Sequence, residues 1–234
     1  MINSLRSLSA LFLVVVFFSS CLKDDPPPPA AGNIMITHAS PNAPDLDMYV
    51  DAKLAAINIS YGTDTGYLQI NPGTFRIDFS QADSTRSLVY QTFTFESNKF
   101  YSLFVIDSLS KMKLVAMEDV FTAAVNTDSA QVRYLDFSPD APFHSVTITN
   151  GIDSLQYAIR GFNDQSANNG STAFADLKSG TYDVKLSMPG SSTPFKVFSG
   201  IALTGGKRFT LYLKGFYNGT GTQAFGLGKI QHFN

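Results

Sequence analysis

The chain has 234 residues, 17 Lys+Arg against 19 Asp+Glu, a net charge of −2 and 44% hydrophobic residues. That apolar content builds a core and excludes wholesale disorder, and the near-balanced charge leaves no electrostatic footprint for nucleic acid. One Cys excludes an internal disulfide framework and any cysteine-based zinc site.

Residues 1–20 carry a single charged side chain, Arg6, ahead of the unbroken apolar run Ala10 to Phe18. Such a run is too short to span hydrocarbon, which takes about 20 residues, and the small pair Ser19-Ser20 follows it. A positive start, short apolar core and small residues predict a secretory signal peptide over 1–20. Cys21 stands directly at the cleavage point, and Phe18-Ser19-Ser20-Cys21 resembles a bacterial lipobox with Phe18 where Leu is commonest. The resemblance implies that Cys21 becomes an acylated N-terminus (palmitate among its chains). One acyl chain holds only marginally at about 0.8 kcal/mol per buried methylene, so additional chains matter. Leu22-Lys23-Asp24-Asp25 resembles the export signal of Bacteroidetes surface lipoproteins. That places Lys23, Asp24 and Asp25 as the signal for the outer face of the outer membrane. Pro26 to Pro29 then favour extended polyproline II, so 21–33 reads as a stiff lipid-anchored tether.

Beyond the tether the chain repeats itself. Ser40-Pro41-Asn42-Ala43-Pro44 recurs as Ser138-Pro139-Asp140-Ala141-Pro142, and Pro72-Gly73-Thr74-Phe75-Arg76-Ile77 as Ser179-Gly180-Thr181-Tyr182-Asp183-Val184. Asn98-Lys99-Phe100-Tyr101-Ser102-Leu103 answers Gly206-Lys207-Arg208-Phe209-Thr210-Leu211. The offset grows once, in the polar stretch Arg160 to Ser171, where an inserted loop is cheapest. These matches predict two modules, 34–121 and 130–234, joined by a linker at 122–129, each able to fold alone on its own core.

Within each copy the apolar period is two. Phe75, Ile77 and Phe79 alternate with Arg76 and Asp78, and Tyr182, Val184 and Leu186 alternate with Asp183 and Lys185. Similar runs predict strands near 34–38, 45–51, 88–95, 100–106 and 112–118, then 131–137, 145–149, 195–203, 208–214 and 224–231. Asn71-Pro72-Gly73, Gln81 to Ser87, Pro189-Gly190-Ser191-Ser192 and Gly205-Gly206 supply the turns. The reading is all-β: two tandem antiparallel β-sandwich modules, immunoglobulin-like or transthyretin-like, with almost no helix. Both prolines of each Ser-Pro-x-Ala-Pro motif push the preceding residue out of the helical region, making the motif a rigid corner between strands.

His38-Ala39-Ser40-Pro41-Asn42-Ala43-Pro44, then Asp47-Met48-Tyr49-Val50-Asp51, then Gly73-Thr74-Phe75 resemble the bacterial extracytoplasmic repeat known as domain of unknown function 4397. The second copy keeps Ser138 to Pro142 and Gly180-Thr181-Tyr182 but has Ser145-Val146-Thr147-Ile148-Thr149 in place of the acidic strand. The resemblance implies a fold and an extracytoplasmic location, with no activity attached.

Asp45, Asp47 and Asp51 are the candidate acidic cluster. On a strand they share one face with Tyr49, but neighbours two apart lie about 6.8 Å from each other, too far for one ion to gather all three. The second copy has no carboxylate at these places, which favours a solvated face. His38, Ser40 and Asp45 include the side-chain types of a hydrolytic triad but crowd into one corner without a nucleophile elbow. Gly205-Gly206-Lys207-Arg208 leads into a strand and reads as a hairpin turn with positive φ, not a phosphate loop. No cofactor and no metal are called for.

Aromatics off the core pattern are the candidate binding residues: Tyr61 and Tyr67 around Gly62 to Gly66, and Phe216-Tyr217 before Asn218-Gly219. Tyr beside Asn and Gly suits sugar stacking or protein contact. The sequence therefore reads as a non-catalytic, lipid-anchored cell-surface module that binds or spaces an extracellular glycan or protein. The alternatives are a polymer hydrolase using Asp45, Asp47 or Asp51, and a purely structural envelope component. Its partners are the membrane, through lipid, and that ligand, with no nucleic acid.

Overall fold

A computed structural model describes residues 29–121, 125–167 and 172–232. The expected signal peptide and the segment Cys21 to Asp25 lie outside the described residues. Eight strands form the first module: β1 Gly32–His38, β2 Leu46–Val50, β3 Lys53–Ile59, β4 Asp64–Ile70, β5 Gly73–Gln81, β6 Ser87–Phe95, β7 Phe100–Ile106 and β8 Lys113–Glu118. Eight more repeat them in order: β9 Ser129–Asp136, β10 His144–Thr149, β11 Ser154–Arg160, β12 Ala175–Lys178, β13 Gly180–Ser187, β14 Pro194–Leu203, β15 Arg208–Lys214 and β16 Gly226–His232. Helix among the described residues is confined to short 3-10 turns such as Leu109–Lys111. None is long and apolar enough to cross a membrane.

Each module is a sandwich of two four-stranded sheets. Module one pairs β4-β1-β7-β8 with β3-β2-β5-β6, and module two repeats the arrangement as β12-β9-β15-β16 with β11-β10-β13-β14. The sandwich and the tandem repeat agree with the alternation read in the sequence. The strand directions differ at one place in each copy: β1 runs parallel to β7, with Ile34 opposite Tyr101, and β9 runs parallel to β15, with Val132 opposite Phe209. The parallel pairing follows from the corner, which carries the chain out of the β1 sheet and into the facing one before β7 returns.

The added residues of the second copy lie mostly where expected. Residues 60–63 connect β3 to β4, whereas their counterpart after β11 runs from 161 to 174. At the turn before β15, Gly206 has φ +75°, and its counterpart Asn98 has φ +61°. Gly205 is required for a different reason: a Cβ there would run into the Thr127 carbonyl oxygen.

Alternation buries Ile34, Ile36, Met48, Ile77, Phe79, Leu103 and Val105 between the two sheets of module one. Val132, Tyr134, Ile148, Val184, Leu211 and Leu213 do the same in module two. A third core lies between the modules. Met35, Ala39, Phe104, Ile106 and Met117 on the other face of the first module's inner sheet pack against Leu135, Phe137, Tyr212 and Ile230 of the second. Phe104 and Phe137 meet at 4.6 Å between ring centroids. Fully burying a side chain of this size contributes roughly 1.5–3 kcal/mol. The molecule is therefore a four-layer stack, its two inner sheets covered on both faces.

Candidate functional site

The Ser-Pro-x-Ala-Pro corners are the most specific local constructions in the chain, and their polar residues are used on the backbone. His38 Nδ1 accepts the Ser40 N–H at 3.3 Å, and its Nε2 lies 3.0 Å from the Pro44 carbonyl. In the second copy the place of His38 is taken by Asp136, whose Oδ1 accepts the Ser138 N–H at 2.9 Å. The variable residue of the motif is Asn or Asp for a shared reason. Asn42 Oδ1 accepts the Leu109 N–H and Asp140 Oδ1 the Tyr217 N–H, both at 2.7 Å, pinning the loop after β7 or β15 to the corner. His38, Ser40 and Asp45 thus do not assemble a triad. Burial lowers the pKa of His38, against the pull of the Pro44 carbonyl, so the ring is neutral and structural.

Asp47 and Asp51 also hold backbone. Asp47 is 7% exposed and accepts the N–H groups of Asn58 at 2.9 Å and Asp83 at 3.2 Å. Asp51 opens the β2–β3 turn, where Asp51 and Ala52 have φ of 46° and 64°, and it accepts the Arg76 N–H at 2.9 Å. Asp45 is exposed, in a cleft of about 630 Å³ at the module junction lined also by Asn42, Tyr61, Gln81 and Thr222. Among the described residues no three His, Cys, Asp or Glu side chains stand close enough to hold a metal ion.

The structure assembles a polar cluster that no motif announced. Asp119, just after β8, and Arg133 on β9 meet across the modules at 2.7 Å, both side chains fully buried. Asp119 Oδ1 has no hydrogen-bond partner among the described residues, so charge more than hydrogen-bond alignment holds the pair. Arg133 Nε donates to Thr210 Oγ1 at 2.7 Å, and Thr210 Oγ1 lies 2.7 Å from His232 Nε2. Tyr67 Oη donates to Asp119 Oδ2 at 2.6 Å and lies 2.8 Å from His232 Nδ1. Ser102 closes the ring, donating to Asp119 at 2.8 Å and accepting from Arg133 at 3.1 Å.

Burial, with Arg133 nearby, pushes His232 down to about 3, so the ring is neutral. Tyr67 spends its one proton on Asp119, so His232 must donate from Nδ1 and accept from Thr210 at Nε2. Burial acts to raise the Asp119 carboxyl, but Arg133 and the surrounding donors overcome it and hold the group below the usual carboxylate range. A second buried carboxyl behaves oppositely. Burial, reinforced by Asp164, pushes Asp136 up to about 7, against the Ser138 N–H and Arg160, and its Oδ2 has no partner among the described residues.

The aromatic candidates divide accordingly. Tyr67 belongs to the inter-module ring, with its hydroxyl turned inward. Tyr61 sits edge-on to His38 with Lys214 Nζ 5.0 Å over its ring, wedged at the module junction. Tyr217 makes edge contacts with Phe195 at 5.9 Å and Phe225 at 5.4 Å, and these rings line a groove of about 350 Å³ with Lys196 and Asn218. Phe216 next to it bonds back through its N–H to the Gln223 carbonyl.

A family model described as Domain of unknown function (DUF4397) matches residues 32–149. The match takes in all of module one and continues through β9 and β10, so it includes both Ser-Pro-x-Ala-Pro corners. No curated protein sequence matches the chain. Among solved structures, "The Bacillus anthracis TIE protein" is similar at 10% identity with a TM-score of 0.26, covering 79% of this chain and 34% of that one. The chain spans about a third of that protein's length. With half of its residues matched and both corners inside the match, the chain belongs to the DUF4397 family.

Proposed function

We propose that the chain is a non-catalytic cell-surface lipoprotein: Cys21 carries lipid, Lys23-Asp24-Asp25 directs export, Pro26 to Pro29 space the body from the membrane, and that body binds an extracellular glycan or protein. The observation that supports a binding role is the employment of the candidate acid–base groups. Asp47 and Asp51 are occupied by backbone N–H groups, and His38 is neutral within a corner. A general acid or base must be free to change protonation against a substrate atom within hydrogen-bond reach. Fusion of the modules through a third core supports rigid presentation of their outer surfaces.

The test is a glycan and peptide array on the chain from residue 22 onward, beside a hydrolysis screen of the same polymers. Binding without turnover is expected. Turnover lost in Asp45→Asn or Asp47→Asn, with folding intact, overturns the reading in favour of a hydrolase. Silence in both assays overturns it in favour of a structural envelope component. Cys21→Ala is expected to release the protein from membranes. Asp24→Ala with Asp25→Ala is expected to leave it anchored but shielded from external protease; equal shaving of variant and wild type refutes the export signal.

A further inference from the structure

The outer face of the β3-β2-β5-β6 sheet carries a built polar and aromatic platform. Ile77 and Phe79 of β5 point into the core, so Arg76, Asp78 and Ser80 point out. Register sets Tyr49 of β2 on one side of Asp78 and Tyr90 of β6 on the other. The Arg76 guanidinium lies 3.7 Å over the Tyr90 ring and reaches Asp78 Oδ2 through Nη2 at 2.7 Å and Nε at 3.2 Å. Tyr90 remains 60% exposed. Beside this stack is a depression of about 450 Å³ lined by Tyr49, Asp51, Arg76, Asp78, Ser80 and Thr85. Ser80 is 1% exposed, and its hydroxyl has no hydrogen-bond partner among the described residues.

The second module provides an internal comparison. The row Tyr49, Asp78, Tyr90 is replaced there by Thr147, Lys185 and Val197 in the same register. The fold does not need the aromatic row.

We propose that this face of module one is the ligand-binding surface and that its ligand is a neutral, hydroxyl-rich glycan chain. The proposal rests on the binding-module reading above and names its site and ligand class. Tyrosine rings offer flat apolar area to the C–H faces of sugar rings. The guanidinium is held between a ring and a carboxylate before any ligand arrives, so little freedom remains to be lost on binding. Asp51 and Asp78 keep unused acceptor lone pairs for hydroxyl donors, and Ser80 adds an unspent hydroxyl. Two carboxylates against one guanidinium make the depression net negative, which disfavours polyanionic chains.

The test is affinity electrophoresis of the chain from residue 22 onward through gels holding a neutral β-glucan, xylan, mannan or dextran, and alginate or hyaluronan as polyanions. Retention by a neutral polymer is expected. Tyr90→Ala and Tyr49→Ala should each weaken it at least about tenfold with an unchanged circular dichroism spectrum, Tyr90→Phe should restore it, and Tyr217→Ala should leave it intact. Retention that survives both tyrosine substitutions, or that responds to Tyr217→Ala instead, overturns the site while the binding-module reading stands. Retention by polyanions alone overturns the ligand class. Failure of every neutral polymer overturns the inference, and the peptide array then decides whether the module reading survives.

Discussion

Asp119→Ala tests how firmly the two modules are joined. The substitution leaves Arg133 fully buried without its counter-charge and removes the acceptor used by Tyr67 and Ser102. Breaking one partner of a buried pair costs about 3–5 kcal/mol, because the remaining charge has neither water nor a partner. For a body of this size 1 kcal/mol moves Tm by about 2–4 °C, so a loss near 4 kcal/mol lowers it by about 8–16 °C. Replacing both partners, Asp119→Leu with Arg133→Met, removes the uncompensated charge and is expected to recover part of the loss. It will not recover all, since Tyr67 and Thr210 each lose one hydrogen bond and Ser102 loses two, at about 1 kcal/mol apiece. The assay is urea unfolding of the chain from residue 22 onward by circular dichroism, wild type and variants in parallel. One cooperative wild-type transition is expected. Two separated wild-type transitions, or a loss below about 1 kcal/mol in Asp119→Ala, would refute the reasoning.

Cutting the chain at Asn126 exposes Met35, Phe104 and Ile106 on one half and Leu135, Phe137 and Tyr212 on the other; each half alone is expected to aggregate or bind a hydrophobic dye, and two monomeric, cooperatively folded halves would count against the third core. Asp136 is raised in the folded state, so the native protein binds more protons than the unfolded chain between about pH 4 and 7, and this group's contribution to stability falls as pH rises through that window. Asp136→Asn should therefore gain on wild type with rising pH, by up to about 4 kcal/mol at neutrality, in urea midpoints measured across the range. Asn42→Ala and Asp140→Ala each free one backbone N–H and should cost about 1–2 kcal/mol, with faster hydrogen exchange at the Leu109 and Tyr217 amides respectively.

Much of the fold was legible because its causes are local. A strand with one wet face must alternate, and β5 and β13 do. A corner between strands needs pre-proline residues and an acceptor, and Ser-Pro-Asn-Ala-Pro and Ser-Pro-Asp-Ala-Pro supply both. Repetition of these signals was enough to count two sandwiches. Alternation did not mark β3, β4, β11 and β12, and all four are edge strands. β3 and β11 are mostly exposed along their length, so no buried face imposes a period on them. The third core left a signal that goes unnoticed when only alternation is sought. Phe100 to Ile106 and Phe209 to Leu213 are nearly continuous apolar runs, as strands covered on both faces must be.

What the sequence determined by itself is the part written in neighbouring residues: the repeat, the turns and the inward face of most strands. The tertiary structure alone decided which outward faces stay wet. Met35 and Tyr49 are both side chains turned away from their own module's core, yet one is sealed between modules and the other lines an open depression. Tyr67, Ser102, Asp119, Arg133, Thr210 and His232 are far apart in the chain and individually unremarkable. They become a closed buried ring only because two inner sheets stack. Period and propensity report how a residue sits relative to its own strand, whereas burial against another sheet is fixed by where that second surface comes to rest.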